Sequence, residues 1–306
     1  MPIDGKFIIN KLINTPFIYH YTSVDALFSI LEGCRKSKPY HTLPFWAGCV
    51  YNSNDSREME LGYETVKSIL PQYEKSFANS INLSEVYEKS EYEVECKKRF
   101  FQRPKDGFVE MSSVPYTLSF SSKRDFLPMW AMYGNNKRGV CLKFSLSSLV
   151  DGINKESCFV HYENSKDNVI KDCLLPSLYD FTATCTKKNN KVMSIEDKIE
   201  ELSLLCDCIS PYIKSGDWAY ESEFRIVSYE HYGPKYKKSF SGLHLSLDKT
   251  KIENHVTIPV PANSLKEVII GPLANYDVLE HILRNELKEC NLNYVEITPS
   301  SIHVTK

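Results

Sequence analysis

The chain is short of glycine. Its 306 residues include 12, about 4%, against the ~7% of an average protein. No two glycines are separated by a single residue. That excludes the G-x-G-x-x-G turn that lets a helix N-terminus approach a dinucleotide pyrophosphate. The only G-x-x-x-x-G, Gly134 to Gly139, is followed by Val140 rather than lysine, which excludes a P-loop. A nucleotide site, if there is one, has to be built another way. Excess charge of one sign is also missing. The 37 Lys and Arg stand against 39 Asp and Glu, a formal charge of −2, so no global field draws in nucleic acid or a membrane surface. No stretch approaches the ~18 apolar residues of a membrane span, and the segment MPIDGKFIINKL has no apolar signal core. None of the ten cysteines forms C-x-x-C, and the close pair Cys206 and Cys208 has no histidine nearby. This argues against a zinc knuckle. Dispersed thiols fit a reducing compartment, so the chain reads as cytoplasmic, with no metal expected.

What the chain does have is the composition of a packed protein, 42% hydrophobic and 25% charged, with 12% aromatics that include 19 Tyr. Period-two patterning predicts strands at 17–21, 43–51, 115–121, 139–145, 157–162, 223–229, 240–247, 255–260, 267–271 and 294–297. A helix is expected from Thr22 and Ser23, with Asp25 completing a capping box with Thr22 and Gly33 as its stop. The charged stretch 55–103 reads as two helices broken at Pro71, an insertion on the core. Asp125 is expected to cap a short helix with Pro128 in its first turn. Further helices are expected at 165–180, from Ser194 onward with a stripe that ends in Ile209 and Ile213, and at 275–290. The polar run Thr186–Lys191 is the best linker candidate. Strands and helices do not alternate regularly, so the class is α+β. The chain reads as one domain, with a core at about 17–54 and 115–272, the insertion at about 55–103, and a C-terminal strand–helix–strand at 265–306.

Four segments carry candidate chemistry. In Tyr19-His20-Tyr21-Thr22-Ser23, a histidine at a strand end can bond a ligand hydroxyl, or it can pack in the core against a carbonyl. Ser119-Phe120-Ser121, followed by Trp130 and Tyr133 on a short helix, can wall an aromatic pocket. Met129, Trp130 and Tyr133 equally fit the buried stripe of that helix. In Trp218–Val227, Glu221, Glu223 and Arg225 share one strand face, with Phe224 and Ile226 on the other. Two carboxylates so spaced can divide labour, one stabilising a developing cation and the other orienting a nucleophile. The alternative is a solvated ion-pair ladder. In Asn54-Asp55-Ser56-Arg57-Glu58, a helix cap competes with a ligand-binding role.

Taken in order, YHYTSVDALFSIL, NDSRE, SFSSKRDFLPMWAMYGNNKRGVCLKF, WAYESEFRIV and KEVIIGP resemble the bacterial domain-of-unknown-function family 2971 over about residues 17 to 272. A more distant resemblance is to the diphtheria-toxin- and PARP-like ADP-ribosyltransferases. It rests on His20 near the end of the first strand, the serine–helix–strand middle, and Glu221-x-Glu223 at the head of a late strand. That likeness implies a split mixed β-sheet core with helical insertions and NAD as substrate. It implies that His20, Tyr21, Thr22, Ser119, Ser121, Trp130, Tyr133 and Arg225 line the NAD site. His20 would bond a ribose hydroxyl. Tyr133 would stack on nicotinamide, with Tyr51 and Trp46 as competitors. Glu223 would stabilise the oxocarbenium-like state, and Glu221 would orient the acceptor. The implied activity is an ADP-ribosyltransferase or NAD glycohydrolase, a toxin or phage-defence effector with a protein or nucleic-acid acceptor and an antitoxin or regulatory partner. For a nucleic-acid acceptor, Lys235, Lys237 and Lys238 around Tyr236 form the candidate patch. The alternatives are a non-catalytic nucleotide-binding or sensor module and, last, a metal-dependent nuclease using His20, Asp55, Glu58 and a strand glutamate. Convergence of His20, Tyr133 and Glu223 on one pocket separates the first two.

Overall fold

The structure is a computed structural model that describes residues 15–37, 41–53, 55, 57–74, 114–153, 155–163, 209–230, 242–245 and 252–304. The expected helix at 165–180, the linker at 186–191, the start of the helix from Ser194 and the basic run at 235–238 lie outside these residues. The rest is an α+β fold around a mixed sheet. Its strands are β1 (Phe17–Thr22), β2 (Thr42–Cys49), β3 (Val114–Ser121), β4 (Val140–Ser145), β5 (Glu156–Phe159), β8 (Glu223–Glu230), β9 (Gly242–Leu245), β10 (Ile252–Pro261), β11 (Leu265–Ile270) and β12 (Glu296–Pro299). The main path runs β12-β11-β4-β1-β3-β2-β10-β9, with β8 paired to β3 and β5. β11 and β12 are parallel, joined by the helix α5 (Tyr276–Glu289), and the other pairs of this sheet are antiparallel. A separate two-stranded piece pairs β6 (His161–Tyr162) with β7 (Ile213–Lys214).

The sheet opens beside β3. One edge of β3 pairs with β8 at every residue from Val114 to Ser121. Its other edge is shared: β2 takes Tyr116 and Thr117, and β1 meets only Ser121. Between them Leu118, Ser119 and Phe120 have no strand on that edge, and the His20 imidazole bonds the Ser119 carbonyl there. Alternation then sorts the two faces. Tyr116, Leu118, Phe120, Phe224 and Ile226 enter the main core, under α1 (Val24–Lys36), α4 (Leu146–Gly152) and α5. Thr117, Ser119, Ser121, Glu223 and Arg225 fall on the opposite face. That face is covered by α2 (Glu58–Glu74), the segment 209–221 and α3 (Leu127–Met132).

Several local expectations change. The cap of α1 is Ser23, whose hydroxyl accepts from the Ala26 N–H. Thr22 is still strand. Gly33 does not stop the helix, which runs on to Lys36. A Cβ at Gly33 would lie 2.3 Å from Pro44 Cγ, so this glycine sets how closely α1 packs on β2. Asp125 does not cap α3. The cap position is Phe126, without a side-chain bond. Asp125 sits at φ 46° and turns its carboxylate to the Trp130 indole N–H and to Ser300 and Ser301. The helix α2 continues through Pro71. Its first turns are no solvated insertion, because Glu58, Met59, Leu61 and Tyr63 are all buried. Ile213 belongs to β7 instead of a helix stripe. The described cysteines Cys34, Cys49, Cys141, Cys158 and Cys290 are buried thiols rather than disulfide halves. No helix among the described residues is long and apolar enough to cross a membrane.

Candidate functional site

The strand β8 begins at Glu223, where its sequence pattern predicts, but Glu221 does not share its face, and the site depends on that. Glu221 closes a 3₁₀ turn (Gly216–Glu221), and Ser222 takes the left-handed conformation, φ 45°. Only then does the strand start, at Glu223. Glu221 therefore reaches the site from a turn, while Glu223 and Arg225 reach it from one strand face. Ser121 fixes this corner, its hydroxyl donating to the Glu221 carbonyl at 2.5 Å and accepting from the Lys123 N–H.

The charged groups form a chain. Arg225 grips Glu223 through Nε and Nη2, at 2.7 and 2.9 Å. Its Nη1 donates to the Pro211 carbonyl and pairs with Glu58. Lys214 Nζ lies between Glu221 and Glu223, at 2.6 and 3.2 Å, with the Trp218 ring 4.9 Å away. The Tyr133 hydroxyl donates to the far oxygen of Glu221 at 2.5 Å. The order is thus Glu58, Arg225, Glu223, Lys214, Glu221, Tyr133, and all but Tyr133 are buried. This is no solvated ladder.

Burial and partners pull the two glutamates apart. Burial alone would raise Glu223, but Arg225 and Lys214 outweigh it and hold its carboxyl at about 2. For Glu221 burial wins. Lys214 lowers it only in part, and its carboxyl sits above the ordinary range. Lys214 is pushed down by burial and further up by Glu223 and its neighbours, so it stays charged. Burial holds His20 below its ordinary value, against the opposing effect of the Ser119 bond, so the ring is neutral at pH 7. The Nδ1 proton goes to the Ser119 carbonyl at 2.9 Å, which leaves Nε2 as an acceptor.

These groups surround a cavity of about 330 Å³. His20, Tyr21, Ser119, Ser121, Tyr133, Glu221, Glu223 and Arg225 all line it, so the structure brings together most of the residues expected at the site. Two fall outside. Trp130 is 0% exposed, with Tyr21 edge-on to it and its N–H on Asp125. It is the buried stripe of α3, as the competing reading had it. Thr22 is held in the β1–β4 pairing, opposite Val140. The Tyr21 hydroxyl is already engaged, bound between the Lys123 carbonyl and the Phe126 N–H. Of the stacking candidates, Tyr51 lies in the core, Tyr133 is tied to Glu221, and Trp46 lines the cavity while 58% exposed.

Sequence reasoning missed Lys214 and gave too little weight to Asp55 and Glu58. Asp55 does act locally, its Oδ1 accepting from the Arg57 N–H, but it also lines the cavity, and its Oδ2 has no hydrogen-bond partner among the described residues. Pro211 was the available signal for Lys214, since a helix does not readily continue through proline and the following Tyr212-Ile213-Lys214 then reads as extended, with a cation at the end of a short apolar run. Among the described residues no group of three or more His, Cys, Asp and Glu is arranged to hold a metal ion.

No curated protein and no solved structure matches the chain. Residues 129–226, the stretch that carries Tyr133, Lys214, Glu221, Glu223 and Arg225, match the family model described as protein of unknown function (DUF2971).

Proposed function

We propose that the cavity binds NAD and that the chain cleaves its nicotinamide–ribose bond, as an ADP-ribosyltransferase or NAD glycohydrolase on an ADP-ribosyltransferase-like split sheet. The observation that carries this reading is convergence. His20, Tyr133 and the Glu221–Glu223 pair come from three separate segments and line one cavity, at the place where β1 and β2 part along β3. In the step itself the C1′–N bond breaks and its electron pair leaves with nicotinamide. The sugar becomes cationic, and the acceptor's lone pair then closes on C1′ while its proton passes to a base. A cation forming here needs nearby negative charge. When ionised, the three carboxylates of the chain from Glu58 to Glu221 outnumber its two cations, which leaves one negative charge over. Glu223, engaged on both oxygens, holds Lys214 and Arg225 in place. Glu221, with its raised pKa, is the better proton acceptor. His20 Nε2 accepts from a ribose hydroxyl. Unrestrained loss of NAD harms a cell, so the reading carries with it a toxin or phage-defence role and a restraining partner. The acceptor is protein, nucleic acid or water.

The test is nicotinamide release from NAD. Glu221→Gln is expected to lower kcat by about 10²-fold or more while NAD still binds. Turnover that is normal in this variant would sink the mechanism. One observation favours a second reading, a non-catalytic binding module: both Glu223 oxygens are already taken by cations. NAD binding by the wild-type chain without any nicotinamide release would decide for it.

A further inference from the structure

Trp46 lines the cavity and is 58% exposed, which is unusual for a large aromatic ring in a sheet. The register explains how it is held. On the antiparallel pair β2–β10, Trp46 lies opposite Thr257 and Gly48 opposite His255, so Trp46 and His255 are diagonal neighbours on one face. Their rings stack at 4.0 Å with 19° between planes. His255 is buried, so the indole rests on a fixed ring. A Cβ placed on Gly48 would meet nothing within 4 Å, so the surface beside the indole is open. The alternate residues Phe45 and Ala47 are in the core, which keeps Trp46 on the outer face.

The cavity is small for a dinucleotide. Its volume of about 330 Å³ is at the low end of the ~300–1,000 Å³ of small-ligand pockets, which is room for one base and its sugar. The cations among its described lining residues, Lys214 and Arg225, are already paired with carboxylates, so they do not serve a pyrophosphate. The second half of NAD therefore has to leave by the mouth and lie along the rim. Resting on the NAD reading above, we infer that Trp46, backed by His255, is the platform on which the adenine ring stacks. Stacking on an exposed indole needs no hydrogen-bond code and no glycine-rich cradle, which is what this sequence allows.

The experiment compares the affinities of NAD and nicotinamide mononucleotide by calorimetry, for wild type, Trp46→Ala and Gly48→Leu. Thermal melts confirm that each variant is folded. A leucine at Gly48 extends over the surface beside the indole from a Cβ that meets nothing within 4 Å. In both variants the preference for NAD over the mononucleotide is expected to fall by about tenfold. Indole fluorescence quenching by ADP-ribose is expected in wild type and lost in Trp46→Ala. A preference unchanged in both variants, with NAD still bound, overturns this inference and leaves the NAD reading standing. Failure of the wild-type chain to bind either compound overturns the NAD reading and this inference with it.

Discussion

Lys214 is the residue on which the site turns. It is one cation shared by two carboxylates that differ in what else they hold. Glu223 also has Arg225 on both oxygens, whereas among the described residues Glu221 has the Tyr133 hydroxyl alone besides. Removing Lys214 therefore falls hardest on Glu221, whose carboxyl already sits above its ordinary range because burial outweighs the lysine. Lys214→Met is expected to push that carboxyl higher still. If catalysis needs Glu221 ionised, the acid limb of the pH–rate profile moves to higher pH in the variant, and a limb that stays in place counts against that role. Arg225→Met acts on the fold instead. It leaves Glu58 and Glu223 buried without their guanidinium, and urea unfolding is expected to show a loss of about 3–5 kcal/mol. Part of this site was legible in the sequence. His20, the paired serines, Tyr133 and the Glu223–Arg225 face follow from strand alternation and local aromatic density. Lys214 was not, because a single lysine carries no periodic signal and the neighbouring Ile213 also fits a helix stripe. Glu58 was not either, because a first-turn glutamate is ordinary at a helix start, and only the tertiary contact makes it a partner of Arg225.

Elements position these residues through close backbone approach. The helix α2 crosses the 209–214 segment at Gly62, where a Cβ would lie 2.0 Å from Ser210 Oγ and 2.5 Å from Ser210 Cα. Backbone cannot yield as a side-chain tip can, so Gly62→Ala has to push α2 and the Lys214 segment apart. The expected result is a loss of about 1–3 kcal/mol in unfolding experiments, together with a weaker grip on Glu221 and lower NAD turnover. Gly33→Ala makes a useful contrast, because its clash is with the Pro44 ring, away from the cavity. It is expected to lower stability without changing the pH profile. The same two glycines show why element ends were read less well than element centres. The strands announce themselves by alternation, and the main-sheet strands appear within a few residues of their expected bounds, but the strand expected at 157–162 divides into β5 and β6 of two sheets, and β7 falls where a helix is expected. Gly33 looks like a helix stop in sequence, yet its role is packing. Thr22 and Ser23 are both good caps, and strand pairing with β4 decides that Ser23 takes the position. The parting of β1 and β2 along β3 has no local signal at all, since it is a property of register between segments far apart in the chain.

At the scale of the molecule, the buried charges couple the fold to pH. Glu223 is held at about 2, below the ~4.3 of a glutamate in an unfolded chain. Between those values the unfolded chain binds more protons, so stability present above the upper value is lost as pH falls through the window. Glu221 works in the opposite sense. Its raised carboxyl favours the folded state when protonated, and that contribution fades as pH rises past its ordinary value. Asp125 and Glu267 are also held low, burial being outweighed by their hydrogen bonds and ion pairs, and they add to the acid sensitivity. Glu223→Gln isolates the first effect. At neutral pH the variant leaves Lys214 and Arg225 without the charge they share and is less stable than wild type. Towards about pH 2 the wild-type Glu223 itself takes up a proton, so the two proteins come to lack the same charge beside Lys214 and Arg225. Urea midpoints measured from about pH 7 to about pH 2 are therefore expected to converge at the acid end. Curves that stay parallel across that range would mean that Glu223 carries no pH-dependent share of the stability, and that the ionic chain from Glu58 to Glu221 is not what holds α2, the Lys214 segment and β8 together.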